Sequence, residues 1–451
     1  MDVTLDARRP PAAATDTPTI PTTGIPAASS SATRVSAPAT AGGPTAPARP
    51  AASEPAARAH LRPTVTELRL SAFAAHRAAV FPLGPVTLFA GPSGSGKSQA
   101  LAAYEALAGL GCGRPLDDVF PDPAARVPER AVPDADGRRG FRIGCTVDGP
   151  AGPVRLDLAV QAEPELRVVG ERLSQNGEIL LSTALRDPRR RSVQAGWLTG
   201  GAVGVTRAPL PDDRLGTALL PLRVAGSTAG QRRVLAAAEQ VVVALRSVFP
   251  CDPRPERMRG PVTPGEGRLR RDCANLADVL RRTRHECGTR HALLAGAART
   301  GCAGPVAALD VRVCDGADDA GGGDGAFGVF AGAGAGLVTG LLDRGPGRPA
   351  TELGRLGAGE LRFLALALVL LTGPGVLAVD PAAELLSARQ ALTVLADGLD
   401  RGLDRRQSAE LLRLALLSGG RGHIRLVGSV GEDTAGTARG LPGVSVVDLS
   451  P

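Results

Sequence analysis

The feature that most restricts the fold of this chain is a short glycine-rich segment between an apolar run and a helical pattern. Residues 84–90, GPVTLFA, are apolar and bounded by glycine and proline, which predicts a buried strand. Residues 98–110 place apolar side chains at helical spacing and are followed by two glycines, which predicts a helix and its end. Residues 91–98 between them read GPSGSGKS. Strand, glycine loop and helix in this order indicate an α/β core.

The loop has the spacing G-x-x-x-x-G-K-[ST], which is typical of phosphate binding. Glycines let backbone N–H groups surround a polyphosphate, and the helix N-terminus adds its dipole. Lys97 is the only lysine among 52 basic residues, so few chance matches to this pattern are available. We expect Lys97 to neutralise phosphate charge and the Ser98 hydroxyl to coordinate Mg²⁺. The predicted nucleotide-binding residues are Gly91, Pro92, Ser93, Gly94, Ser95, Gly96, Lys97 and Ser98.

A metal at this loop needs a carboxylate, which normally ends a neighbouring apolar strand. Residues 375–380, GVLAVD, place Asp380 after a four-residue apolar run. We predict that Ser98 and Asp380 hold the metal ion. The alternative is that Asp380 caps the helix that follows.

The remaining pattern contains more strands and helices. Short alternating segments between 141 and 183 predict an antiparallel sheet. The run over 361–379 is nearly apolar, but residues 372–375 (TGPG) interrupt it, which favours a buried helix and strand over a membrane span. We predict helices over 231–249, 275–287, 359–371, 384–400 and 408–418, a loop over 315–325, and strands over 376–380, 424–429 and 444–449.

Composition excludes several classes of protein. The aromatic content of 2% argues against a protein that stacks single-stranded nucleic acid on aromatic side chains. Its seven cysteines form no C-x-x-C pair, which argues against a disulfide framework or a zinc site. Residues 1–62 are rich in alanine and proline, which predicts a disordered tail without an apolar leader. These features predict a cytoplasmic protein.

Positive charge is concentrated in residues 254–299, which hold eleven arginines against five acidic residues. This segment is a candidate DNA or RNA contact. The alternative is a solvated protein surface, because arginine supplies nearly all the positive charge in this chain.

Several separated segments together resemble the RecF/SMC-like branch of ABC-type ATPases, often described in bacteria as AAA family ATPases. They are the loop itself, VTELRLSAFAAH over 65–76, ERLSQNGEILLST over 171–183, LRRDCANLADVL over 269–280 and LGAGELRFLAL over 356–366. The last of these resembles the family's signature helix.

The resemblance implies that ATP and Mg²⁺ are bound between two heads of a homodimer. The signature of one head would then face the loop of the other, and in this chain its residues would be Gly357, Ala358, Gly359 and Glu360.

The chain departs from the family pattern at three places. Gly357 stands where the family has serine, Pro381 follows Asp380 where the family has a catalytic glutamate, and residues 427–429 (VGS) stand where it has a switch histidine. Glu384, one helical turn onward, is a weak candidate for the missing base, and the alternative is an ordinary carboxylate in the first turn of a helix.

The predicted fold is therefore an α/β P-loop NTPase of the ABC type, with an antiparallel β subdomain and an inserted helical region. The predicted boundaries are a tail over 1–62, an N-terminal lobe over 63–210, an inserted region over 211–345 and a C-terminal lobe over 346–451. The expected function is ATP binding with weak hydrolysis, in DNA maintenance or phage defence. The alternatives are a non-hydrolysing ATP-dependent switch and a nucleic-acid-binding protein.

Overall fold

The computed structural model describes residues 62–200, 203–314, 336–378 and 391–450. In these ranges the strands are β1 Thr64–Phe73, β2 His76–Pro82, β3 Val86–Ala90, β4 Arg139–Asp148, β5 Val154–Glu163, β6 Arg167–Gln175, β7 Glu178–Ala184, β8 Ser192–Leu198, β9 Val205–Pro211, β10 Val248–Pro250, β11 Ala308–Cys314, β12 Leu337–Asp343, β13 Thr351–Glu352, β14 Leu392–Ala396, β15 Ile424–Ser429 and β16 Val444–Asp448. The α-helices are α1 Lys97–Gly111, α2 Leu116–Val119, α3 Gly216–Leu219, α4 Ala229–Arg246, α5 Leu276–Glu286, α6 Gly288–Gly301, α7 Ala358–Thr372, α8 Arg405–Gly420 and α9 Glu432–Arg439. The predicted tail, except its last residue, and the predicted loop over 315–325 lie outside the described residues.

An eight-stranded antiparallel sheet forms the first layer, in the order β2-β1-β4-β5-β6-β7-β8-β9. Strand β5 alternates buried leucine and valine with more exposed residues, because one face of the sheet packs on a core while the other faces solvent. Helix α4 packs beside this sheet, and most of its buried residues belong to the same hydrophobic cluster. The antiparallel sheet predicted between 141 and 183 is confirmed.

A five-stranded parallel sheet, in the order β10-β14-β15-β3-β16, carries the glycine loop. Strands β3 and β14 are buried along their whole length, as expected for strands with both faces covered. Helices α7 and α8 and strands β15 and β16 confirm the predictions made for the C-terminal part of the chain. Because all pairings in this sheet are parallel, the carboxyl ends of its strands meet along one edge.

One helix prediction in this region is wrong. Residues 384–400 were predicted to form a helix, but Leu392–Ala396 within this range form strand β14. A short, fully buried strand reads as a continuous apolar run, and periodicity alone does not distinguish such a run from a buried helix. A strand was also predicted over 376–380. Val376 instead ends a 3₁₀ turn that begins at Pro374, and Leu377 forms a single parallel bridge with Leu269.

The two sheets are joined by a half-buried arginine of the parallel sheet. Arg425 in β15 donates from Nη2 to the carbonyl oxygens of Val65, Leu83 and Gly84, at 3.2, 2.7 and 2.9 Å. Burial lowers the pKa of this guanidinium below its usual value. Arg425 therefore links strand β1 of the antiparallel sheet to residues 83–84, which lie directly before strand β3.

A third sheet, β11-β12-β13, packs with helices α5 and α6 in the predicted inserted region. Strand β10 also falls in the predicted region 211–345, yet it pairs with β14 in the parallel sheet. The predicted domain boundaries remain predictions. Among the described residues, no helix has the length and apolar character needed to cross a membrane.

Candidate nucleotide-binding site

The glycine loop leaves the buried strand β3 and turns directly into helix α1. Gly94 and Gly96 have φ angles of +84° and +94°, in the left-handed region that glycine adopts without strain. A Cβ added to Gly94 would meet no atom within 4 Å, whereas one added to Gly96 would lie 2.7 Å from His76 Nε2. The buried His76 also contacts the Gly96 carbonyl oxygen, at 3.1 Å from Nε2. The loop is thus supported on its inner side and open on the other.

The side chain of Lys97 folds back over this loop. Its Nζ donates to the carbonyl oxygens of Gly91 and Pro92, at 2.6 and 2.9 Å. The first backbone N–H groups of α1, at Lys97 and Ser98, have no partners within the helix. An ammonium group and orphaned N–H groups therefore converge at the loop, which suits an anion.

A carboxylate that the sequence analysis did not identify lies at the start of α1. Ser98 Oγ donates to Oδ1 of Asp397, at 3.0 Å, and Ser429 Oγ donates to the same oxygen, at 2.5 Å. Asp397 directly follows β14, and Ser429 ends β15, the strand between β14 and β3. Three neighbouring strand ends therefore bring these groups together.

The predicted carboxylates Asp380 and Glu384 lie outside the described residues. Their roles as metal ligand and weak candidate base stay predictions. Within the described ranges, Asp397 has the position expected for the metal-binding carboxylate. The signal was present in the sequence, because residues 391–396 (ALTVLA) form an apolar run that ends in aspartate, as 376–380 do.

The residue after Asp397 is Gly398, which carries no side chain to act on a nucleotide. Its N–H donates to Ser429 Oγ at 2.7 Å, and its carbonyl oxygen accepts from Arg362 Nη2 at 3.1 Å. Arg362 lies in α7, is 6% exposed, and also donates to the Pro253 carbonyl oxygen at 2.6 Å. Helix α7 is thereby fixed to the end of β14 through a buried guanidinium.

The four predicted signature residues lie at the N-terminus of α7. Gly357 and Ala358 are exposed, and Gly359 packs so closely that an added Cβ would lie 2.3 Å from the Gly402 carbonyl oxygen. The carboxylate of Glu360 accepts from the N–H groups of Gly357 and Ala303, both at 2.8 Å. Glu360 thus orders the start of the helix, while Gly357 and Ala358 remain open to solvent.

The arginines of residues 254–299 are largely engaged within the chain. Seven of the eleven form ion pairs with carboxylates, and two more donate to backbone carbonyl oxygens. The engaged residues are Arg254, Arg257, Arg259, Arg268, Arg271, Arg281, Arg282, Arg284 and Arg299. This pairing favours the interpretation as a solvated protein surface, and nucleic-acid binding through the segment stays a prediction.

The residues at the loop fit a nucleoside triphosphate with Mg²⁺. A cavity of about 580 Å³ is bounded by the loop on one side and by Asp397, Gly398 and Ser429 on the other. Hydroxyl and carboxylate oxygens, as in Ser98 and Asp397, are ligands that Mg²⁺ prefers. The buried Ser95 hydroxyl has no hydrogen-bond partner among the described residues, so the loop retains an unsatisfied polar group. Mg²⁺, when bound here, supplies charge that offsets the phosphates.

The two sheets, the loop at the carboxyl end of β3 and Asp397 at the end of β14 define an α/β P-loop NTPase fold of the ABC type. Solved structures that match the chain at low sequence identity include head domains of SMC proteins. No protein-family model and no curated protein sequence matches the chain.

Three of these structures match more than four fifths of the chain. An Smc head bound to the C-terminal winged-helix domain of ScpA is 11% identical over 81% of this chain and 90% of that one, with a TM-score of 0.43. The SMC head domain from Thermotoga maritima is 14% identical over 82% and 90%, with a TM-score of 0.35. The Smc head with an extended coiled coil, bound to the C-terminal domain of ScpA from Pyrococcus furiosus, is 11% identical over 83% and 91%, with a TM-score of 0.39.

Proposed function

We propose that this chain is an ATP-binding head of the RecF/SMC-like type. The observation that carries the proposal is the contact of Ser98 Oγ with Asp397, 3.0 Å apart, at the loop that contains Lys97. The direct test is calorimetry of the full chain with ATP and Mg²⁺. One binding site per chain supports the proposal, and the absence of binding heat with both ATP and GTP contradicts it.

The groups that would hold Mg-ATP have distinct roles. Lys97 and the loop N–H groups bind the phosphates, and Ser98 and Asp397 hold the metal ion. Ser429 donates to Asp397 and accepts from the Gly398 N–H, so its hydroxyl keeps the carboxylate oriented. These contacts bind and orient the nucleotide, and none of them abstracts a proton from water.

Hydrolysis is expected to be slow. In the related ATPases a glutamate follows the metal-binding aspartate and a histidine ends the neighbouring strand, whereas here the corresponding residues are Gly398 and Ser429. A missing general base typically lowers the rate by about 10²- to 10⁴-fold, so we expect a turnover of roughly 0.001–0.1 s⁻¹ against an ordinary ~10 s⁻¹. Phosphate release from the full chain measures this rate, with Lys97→Ala as the background. Turnover near 10 s⁻¹ that Lys97→Ala abolishes would contradict the expected deficiency.

The second candidate is a switch that binds ATP without hydrolysing it. Gly398 and Ser429 favour this candidate, because neither glycine nor serine is an effective base at neutral pH. The phosphate-release measurement separates the two candidates. A wild-type rate above the Lys97→Ala background supports a weak ATPase, and equal rates support the switch.

ATP is also proposed to join two heads through the exposed N-terminus of α7. Gly357 and Ala358 are open to solvent, and the aligned N–H groups at this end of a 15-residue helix favour an anion. We expect a homodimer with Mg-ATP and a monomer without it. Sedimentation velocity of the wild-type chain with a non-hydrolysable ATP analogue is the measurement.

A variant of this surface makes the dimer prediction specific. Ala358→Glu places a carboxylate where phosphate would approach, so we expect it to remove the dimer while the monomer still binds the analogue. Ala292→Glu adds the same charge at an exposed position of α6 and is the matched control. Dimerisation that survives Ala358→Glu unchanged would contradict a role for these residues between heads.

The biological output of such a head is a further proposal. DNA maintenance and phage defence both agree with the family resemblance, and a nucleic-acid partner would give affinity that falls steeply with salt. The internal pairing of the arginines in 254–299 weakens the argument for that segment as the contact.

A further inference from the structure

The turn after Asp397 places an arginine over the position where the related ATPases carry their catalytic side chain. Gly398 has a φ angle of +61°, and the Arg401 N–H donates to its carbonyl oxygen at 3.0 Å. The Arg401 side chain folds back over Gly398. A Cβ added to Gly398 would lie 3.0 Å from both Nε and Nη2 of Arg401. The guanidinium thus occupies the space that a residue-398 side chain would enter.

Arg401 lines the same cavity as Lys97, Ser98 and Asp397. The nearby carboxylates are already engaged, since Asp397 accepts from two serines and Asp400 accepts from the Gly431 N–H at 2.9 Å. In the part of the chain that the structure describes, the Arg401 side chain forms no ion pair. Its charge is available to a ligand in the cavity.

A second cation lies behind the same turn. Arg362 binds the Gly398 carbonyl oxygen, and its pKa is lowered first by burial and then by the positive charge of Arg401. Two guanidinium groups therefore repel each other on either side of Gly398. An anion in the cavity would offset this repulsion.

We propose that Arg401 binds the terminal phosphate of the nucleotide from within the same chain and makes the site prefer a nucleoside triphosphate to a diphosphate. This proposal rests on the proposed nucleotide-binding function. Ser98 and Asp397 would hold the metal ion, whose charge would offset that of the terminal phosphates. The Arg401 side chain folds over Gly398, the residue after Asp397, so a phosphate bound beside the metal ion would lie within its reach.

The chemical consequence is that a cation, Arg401, lies beside Gly398, where hydrolysis would need a carboxylate. A carboxylate accepts a proton from the attacking water, whereas a guanidinium stays protonated and only donates. Arg401 therefore strengthens triphosphate binding and supplies no general base.

The experiment compares affinities for AMP-PNP and ADP, each with Mg²⁺, by calorimetry of the full chain. Arg401→Ala is expected to weaken AMP-PNP binding about tenfold or more, the effect of losing one charge-assisted hydrogen bond, and ADP binding less than about threefold. Arg401→Lys is expected to retain part of the difference, because the charge stays but the planar fork is lost. Arg405→Ala, an exposed arginine at the start of α8 outside this cavity, is the matched control.

Each outcome identifies which claim fails. Wild-type chain that binds neither nucleotide overturns the proposed function and this proposal with it. Wild-type binding with an equal loss of both nucleotides in Arg401→Ala, or a loss no larger than that of Arg405→Ala, overturns only the role of Arg401. Because Arg401 is exposed, its variants are expected to fold, and their thermal unfolding is recorded alongside.

Discussion

Lys97→Ala is expected to lower the affinity for Mg-ATP by about 100-fold or more, close to 3 kcal/mol. The ammonium is the one cation among residues 91–98, and it contacts two carbonyl oxygens of the glycine loop, beside the N–H groups that would bind phosphate. Its removal leaves the loop N–H groups and the metal site to bind the phosphates alone. Calorimetry with ATP and Mg²⁺ measures the change.

The controls separate a binding effect from unfolding. The two carbonyl oxygens lie near solvent, so their loss of a partner is expected to cost less than about 1 kcal/mol of stability. Lys97→Arg keeps the charge, but its wider fork does not match the two oxygens, so binding is expected to stay weak. Affinity in Lys97→Ala within about threefold of wild type would contradict the proposed phosphate site.

Asp397→Asn is expected to remove most of the effect of Mg²⁺ on ATP affinity. The amide keeps the shape of the side chain but loses the negative charge that attracts the cation, and such changes near metal sites typically cost about 10- to 100-fold in metal affinity. The measurement is ATP affinity with Mg²⁺ and with EDTA, for wild type and variant.

Asp380→Asn is the comparison that decides between the two carboxylates. If Asp397 holds the metal, Asp380→Asn changes the magnesium effect by no more than about threefold. The reverse result, a magnesium effect lost in Asp380→Asn and kept in Asp397→Asn, would restore the prediction made from the sequence. Loss in both variants would place both carboxylates at the metal.

The position of the glycine loop between a strand and a helix was predictable because its pattern lies within eight consecutive residues. The flanking strand and helix follow from apolar patterns that are unambiguous once glycine and proline bound them. The strand that ends at Ser429 was also predicted, and the structure adds its contact with Asp397. Local sequence therefore specified one side of the cavity.

The opposite side was not predictable, because two apolar runs compete for the same role. Residues 376–380 and 391–397 both end in aspartate, and only the position of β14 beside β15 brings Asp397 to Ser98. The ion pairs that arginines form with distant carboxylates show the same limit of sequence-based prediction. Arg271 binds Glu105, 166 residues earlier in the chain, and no spacing rule reveals such a partner. Long-range contacts of this kind emerge only from the assembled fold.

Strand β3, which leads into the phosphate loop, has both of its neighbours near the other end of the chain. Residues 86–90 pair with 424–429 on one side and 444–448 on the other. At ribosomal speeds of about 5–20 residues per second, roughly 20–70 s separate the synthesis of this strand from that of its first neighbour. During that interval its backbone N–H and C=O groups and its apolar side chains lack their native partners, which exposes the strand to aggregation. The chain is therefore expected to depend on chaperones during its synthesis.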